Sequence, residues 1–119
     1  MNPTRFDPAI CGVCAGRGVG IGYCPPPMRG RPFRPIWLCD DPQCIPIAKA
    51  TYSMSQHDFD RIERMATLEA GQGLEKFCDE IGKTDFAVFS QSEFETAMRR
   101  VIEDYRGALV GKLRDEAPF

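Results

Sequence analysis

The sequence predicts an α+β chain in which a small cysteine-stapled β-hairpin finger packs on an antiparallel pair of helices. Three observations carry that prediction. Two close cysteine pairs, Cys11 with Cys14 and Cys39 with Cys44, bracket a connection rich in glycine and proline. Two short apolar runs lie inside the bracket, at 18–24 and 33–38. Beyond residue 50 the apolar residues recur every three or four positions, the period of a helix with one buried face. The finger is expected over 1–50 and the helical lobe over 51–119, sharing one compact domain.

Residues 1–10 read as an irregular leader, because Pro3 and Pro8 oppose regular structure and Phe6 or Ile10 can tuck under the finger. Cys11-Gly12-Val13-Cys14-Ala15-Gly16 then reads as a tight turn that points backbone N–H groups at sulfur. Gly12 and Gly16 suit such a turn, since glycine adopts positive φ without steric cost. Residues 18–24 alternate small and apolar side chains as a strand does, and 33–38 supplies its partner. The intervening Pro25-Pro26-Pro27-Met28-Arg29-Gly30-Arg31-Pro32 cannot be helical and reads as a semi-rigid loop.

After Cys44, a helical turn is expected with Pro46 near its start. The first long helix is expected from Ser53 or Ser55, with Ser55 and Asp58 as a capping pair. Its inward stripe is Phe59, Ile62, Ala66, Ala70, Leu74, Phe77 and Ile81, and Gly71 with Gly73 predicts a kink or break. Residues 82–89 connect to a second helix. Ser90 and Glu93 form its capping box, and Phe89 with Phe94 its hydrophobic staple. Phe94, Ala97, Met98, Val101, Ile102, Tyr105 and Leu109 make its apolar face, with Arg99, Arg100, Glu103 and Arg106 opposite.

The chemistry concentrates in the cysteines. The pattern C-x2-C, twenty-four residues, C-x4-C offers four thiolates from two turns, as a tetrahedral ion requires. One structural zinc held by Cys11, Cys14, Cys39 and Cys44 is the expected cofactor, and it would staple a lobe with few large apolar residues. Cys24, which has no close cysteine, and His57, the one histidine, are the competing ligands. Four closed thiolates leave no open coordination position, so an enzyme is not expected.

Charge is asymmetric. Residues 1–50 carry a net +3 and residues 51–119 a net −5, giving −2 for the chain. No acidic residue lies between Asp7 and Asp40, whereas Arg17, Arg29, Arg31 and Arg34 all do. No run of about eighteen apolar residues marks a membrane span. The start of the chain has no apolar stretch of a secretion signal, so a reducing cytoplasm is the expected compartment.

Cys11 to Gly18 fits C-x2-C-x-G-x-G and resembles one repeat of the zinc domain of J-type co-chaperones. The order of knuckle, hairpin, then Trp37-Leu38-Cys39 entering a second knuckle resembles treble-clef and zinc-ribbon modules. The cysteine pairs, Gly22-Tyr23, Trp37-Leu38-Cys39, Glu80-Ile81-Gly82 and the helix from Phe89 to Leu113 resemble small uncharacterised proteins of tailed phages and prophages. That resemblance implies a viral origin, with the host cytoplasm as setting, and no known activity.

Two functional classes follow. The first is a zinc-stabilised adaptor or inhibitor that binds a host protein of the transcription, defence or nuclease machinery through Arg29, Arg31, Phe33 and Arg34. The second is a nucleic-acid-binding finger, in which the same arginines meet phosphate and Tyr23, Phe33 and Trp37 stack on bases. A treble-clef nuclease is a third reading and would depend on His57.

Overall fold

A computed structural model describes residues 3–26, 29, 30 and 34–116. A 3-10 turn at Pro3–Phe6 leads into the finger, whose strands β1 (Ile21–Tyr23) and β2 (Ile36–Leu38) pair antiparallel. Three helices follow: α1 (Cys44–Ser53), α2 (Gln56–Ile81) and α3 (Gln91–Glu116), with a short 3-10 turn at Phe86–Val88 between the last two. The α+β class and the two-stranded hairpin are as expected from the sequence.

The hairpin register sets Ile21 opposite Leu38, Gly22 opposite Trp37 and Tyr23 opposite Ile36. Trp37 needs a glycine across from it: a Cβ on Gly22 would meet its ring at 3.2 Å. Ile36 and Leu38 are buried beneath the sheet, with Trp37 on the opposite face.

The helix boundaries obey their capping chemistry. Ser55 caps α2, its Oγ accepting from Asp58 N–H at 3.1 Å. Gly82 ends that helix at φ 67°, and Lys83 N–H returns to Cys78 O at 3.1 Å. Before α3 the expected box closes both ways, Glu93 N–H to Ser90 Oγ at 3.1 Å and Ser90 N–H to Glu93 Oε1 at 2.8 Å. The expected Phe89–Phe94 staple is rearranged. Phe86 stands edge-on to both, with ring centroids 5.2 Å from Phe89 and 6.5 Å from Phe94.

The predicted break at Gly71 and Gly73 does not occur, and α2 runs unbroken for 26 residues. Gly73 is a contact residue: a Cβ there would fall 2.1 Å from Asp104 Oδ2 of α3. Its missing side chain leaves room for that carboxylate, and the packing of the two helices offsets a propensity cost of roughly 1 kcal/mol. The antiparallel pair is about 39 Å long at 1.5 Å per residue. Exposed ion pairs Arg61–Glu116 (2.6 Å) and Arg100–Glu80 (2.9 Å) tie its two ends and set register more than stability.

The apolar face of α3 also differs from expectation. Ala97, Leu109, Val110 and Leu113 are buried, whereas Phe94 and Ile102 are exposed. The reason is that the finger covers α3 only over its C-terminal half. There Leu109, Val110 and Leu113 join one continuous core with the four cysteines, Val13, Ile36, Leu38, Ile47, Ala48, Phe59, Ile62 and Ala66. Helix α1 bridges the two lobes, starting at a cysteine and burying Ile47, Ala48 and Thr51.

The leader is fastened by Arg5, which is 4% exposed. Its Nη2 donates to Met54 O at 2.8 Å, just past the end of α1, and to Thr51 O at 2.5 Å, which also accepts from Met54 N–H at 3.2 Å. Its guanidinium lies 4.8 Å from the Phe59 ring centroid. Burial lowers its pKa, opposed by Asp60 and Glu63, and it stays a cation. Arg5→Met is expected to cost about 1–3 kcal/mol by removing the buried donor to Met54 O and Thr51 O, read as a lower thermal midpoint. A midpoint equal to wild type would remove Arg5 from the account.

Candidate metal centre

The first knuckle is a narrow loop whose arms meet at an isolated bridge between Ile10 and Arg17. Cys11 N–H donates to Gly16 O at 2.7 Å, Ala15 N–H to Cys11 O at 3.0 Å, and Gly16 N–H to Cys14 Sγ at 3.4 Å. The positive φ of this turn falls on Ala15, at 62°, and not on either glycine. The glycines serve close approach instead. A Cβ on Gly12 would meet Arg5 O and Ile36 Cβ at 3.1 Å, and one on Gly16 would meet Arg106 Nη2 at 2.5 Å.

The second knuckle spends its longer spacing on an Asp turn. Asp41 N–H donates to Cys39 Sγ at 3.4 Å, Gln43 N–H to Asp41 Oδ1 at 2.9 Å, and Cys44 N–H to Asp41 O at 3.1 Å. Cys44 is thereby the first residue of α1. Gly12 N–H to Trp37 O at 2.8 Å ties the first knuckle to the strand that delivers Cys39.

These turns bring Cys11, Cys14, Cys39 and Cys44 together. Their Sγ atoms all lie within 4.8 Å of one another, and all four residues are buried. Cys14 Sγ is 3.5 Å from Cys39 Sγ, which is 3.6 Å from Cys44 Sγ. Four sulfurs at 2.3 Å from one tetrahedral ion would stand about 3.8 Å apart, so the cluster has the size of a metal site. All six cysteines are free thiols, and the cluster distances are far beyond a bond of about 2.05 Å.

The electrostatics are those of a cluster that wants a cation. Hydrogen bonds from Cys11 and Cys44, then from Arg106 and Gly16 N–H, pull the Cys14 thiol far down. Burial pushes Cys39 up to about 11, and Cys44 is driven strongly upward as donor to Cys11 and Cys14. One negative charge is tolerated and further ones are resisted until a positive ion joins them.

Cys24, half-buried just past β1, is outside the cluster, as are His57, exposed in the first turn of α2, and Cys78. Of the four residues expected to meet a partner, Arg31 and Phe33 lie outside the described residues. Arg29 is exposed. Arg34 is exposed too, but its guanidinium packs 4.0 Å from the Phe6 ring centroid and Tyr52 Oη donates to its carbonyl at 2.9 Å.

The residue that sequence reasoning misplaced is Arg106. It was assigned to the polar face of α3, yet it turns toward the finger and its Nη2 donates to Cys14 Sγ at 3.4 Å. The available signal was its spacing of three and seven from Leu109 and Leu113, which puts it on the finger-facing stripe.

Beside it, an apolar groove of about 450 Å³ runs between α2 and α3, where the finger stops. Thr67, Ala70, Gly71 and Leu74 form one wall, and Val101, Ile102 and Tyr105 the other. Ile102 is 57% exposed there. Tyr105 Oη reaches Glu63 Oε2 at 3.3 Å, and burial pushes its phenol up to about 12.

Compared with protein-family models, curated proteins and solved structures, the chain matches none.

Ala15→Gly should relieve the left-handed strain and raise the stability of the metal-loaded protein by about 0.5–1 kcal/mol. Thermal unfolding reads this directly, and an unchanged or lower midpoint would show that Ala15 is not held at positive φ.

Proposed function

We propose that the chain is a zinc-stapled, non-enzymatic binding protein that acts by contacting another protein. The observation that carries this reading is the closed set of four buried sulfurs. Zinc suits it because the ion accepts four thiolates tetrahedrally, and a site whose four positions are all filled by the protein shapes structure and leaves no place for substrate. The residues that would hold it are Cys11, Cys14, Cys39 and Cys44, and the ion supplies cross-linking of two turns that have little apolar core of their own.

The binding half of the reading rests on the helical pair. Its groove combines small residues on α2 with an exposed Ile102 on α3, a shape that accepts the apolar face of a partner helix. Phe86, Val88 and Phe94 extend exposed apolar surface to the tip of the pair. The helical pair thus offers a second contact surface beside the Arg29, Arg31, Phe33 and Arg34 set, of which Arg29 and Arg34 are exposed. The phage resemblance makes a host protein the expected partner, engaged by an adaptor or inhibitor.

Purified under reducing conditions without chelator, the protein is expected to carry one zinc per chain by elemental analysis. Cys11→Ser and Cys44→Ser should each lose it and lose finger structure while retaining much of the helical circular dichroism. Cys24→Ser should keep both. Unchanged zinc in the first two variants would refute the assignment. Ile102→Glu should abolish capture of a host protein without altering zinc content; capture unaffected by it would remove the groove from the reading.

A further inference from the structure

We propose that Arg106 is a positioning residue for the metal centre, a charged latch from α3 that holds the Cys14 thiolate on its ion and links metal loading to the seating of the helix. The inference rests on the zinc reading above.

Four thiolates around a dication leave a net charge of −2 inside a buried site, which demands compensation. The knuckles supply backbone N–H groups to two sulfurs, from Gly16 to Cys14 and from Asp41 to Cys39. Those donors are dipoles and carry no net charge. Arg106 brings a full positive charge into contact with a ligand 92 positions away, Nη2 to Cys14 Sγ at 3.4 Å. Charge-assisted donors of this kind are the strong ones.

The site is shaped for this side chain. Gly16 leaves open the volume the guanidinium fills, since a Cβ there would lie 2.5 Å from Nη2, 2.8 Å from Cζ and 3.0 Å from Nε. Two clefts flank the Arg106 side chain. Cys14, Asp41, Gln43 and Glu103 line one, and Arg17, Cys39 and Asp40 line the other. The guanidinium stands between the two clefts and lines both of them, over the buried Cys14.

The coupling is reciprocal. A metal that holds Cys14 strengthens the contact to α3, and a well-seated α3 tightens binding of the metal by the same free energy. Arg106 also borders the apolar groove, so metal loading fixes one end of that surface.

The test is zinc release from the full-length protein to excess chelator, with cobalt-loaded protein as the spectroscopic readout. Arg106→Gln should weaken zinc binding about 10–100-fold, the usual effect of removing an outer-shell partner, and release zinc faster than wild type. Arg106→Lys, which keeps charge but loses the fork, should fall between it and wild type. Arg100→Gln, on the same helix but paired with Glu80, should match wild type. In the cobalt form, Arg106→Gln should shift the sulfur-to-metal charge-transfer band to lower energy, because a sulfur relieved of its donor gives up electrons more readily. General loosening of α3 would not move that band.

Wild-type release rates in Arg106→Gln with an unmoved band would overturn the latch while leaving the zinc site intact. Equal acceleration by Arg100→Gln would overturn it also. Wild-type protein without zinc would overturn both this inference and the reading beneath it. Should Arg106→Gln fail to fold, Arg106→Lys carries the test, and a wild-type rate in that variant overturns the proposal.

Discussion

Four sulfurs packed within 4.8 Å of one another are the constraint on which this molecule is built. Burial drives the Cys39 thiol upward and hydrogen bonding to Cys11 and Cys14 drives Cys44 upward, while Cys14 is held down, so the cluster resists gathering more negative charge until a cation joins it. The surrounding structure serves to make that crowding tolerable. Two tight turns aim N–H groups at sulfur, the hairpin register carries Cys39 to Cys14, and an Asp turn starts α1 on Cys44. Take the cluster away, and the described residues between 10 and 44 have Val13, Ile36 and Leu38 as their buried hydrophobes. That is too little to order a segment rich in glycine and proline.

Two arginines join this cluster to the rest of the chain, at opposite ends of the sequence. Arg5 closes the carbonyls at the end of α1 and fastens the leader to α2 through Phe59. Arg106 reaches back from α3 to Cys14. Each adds what the nearby backbone does not: a buried charged donor to the Thr51 and Met54 carbonyls in one case, a net positive charge beside Cys14 in the other. The finger and the helices thus share a core and polar ties, among them Arg114 Nη2 of α3 to Gln43 Oε1 of the second knuckle at 2.7 Å, and the exposed half of the helical pair projects beyond them with its groove open.

Much of this was legible in the sequence because it depends on local rules. Ser55, Gly82, Ser90 and Glu93 mark helix ends by capping chemistry that acts within a few residues, and the cysteine spacing states the cluster outright. What was illegible depends on where a second element lands. Gly73 reads as a helix breaker until Asp104 is seen occupying the space beside it. Ala15 conceals a left-handed turn that Gly12 and Gly16 seemed to claim, because those glycines answer to neighbours from Arg5, Ile36 and Arg106. Phe94 and Ile102 fit the periodicity of a buried face, but the finger is too short to cover them. Arg106 looks like a solvated charge until its distant anionic partner is placed.

The account stands or falls on what surrounds the ion. X-ray absorption on the zinc-loaded, reduced protein measures that directly. The account predicts a single shell of four sulfur scatterers at about 2.3 Å. One or more nitrogen or oxygen scatterers at about 2.0–2.1 Å would mean that a ligand other than these four cysteines, or solvent, completes the site, and would contradict the closed staple from which the rest is argued.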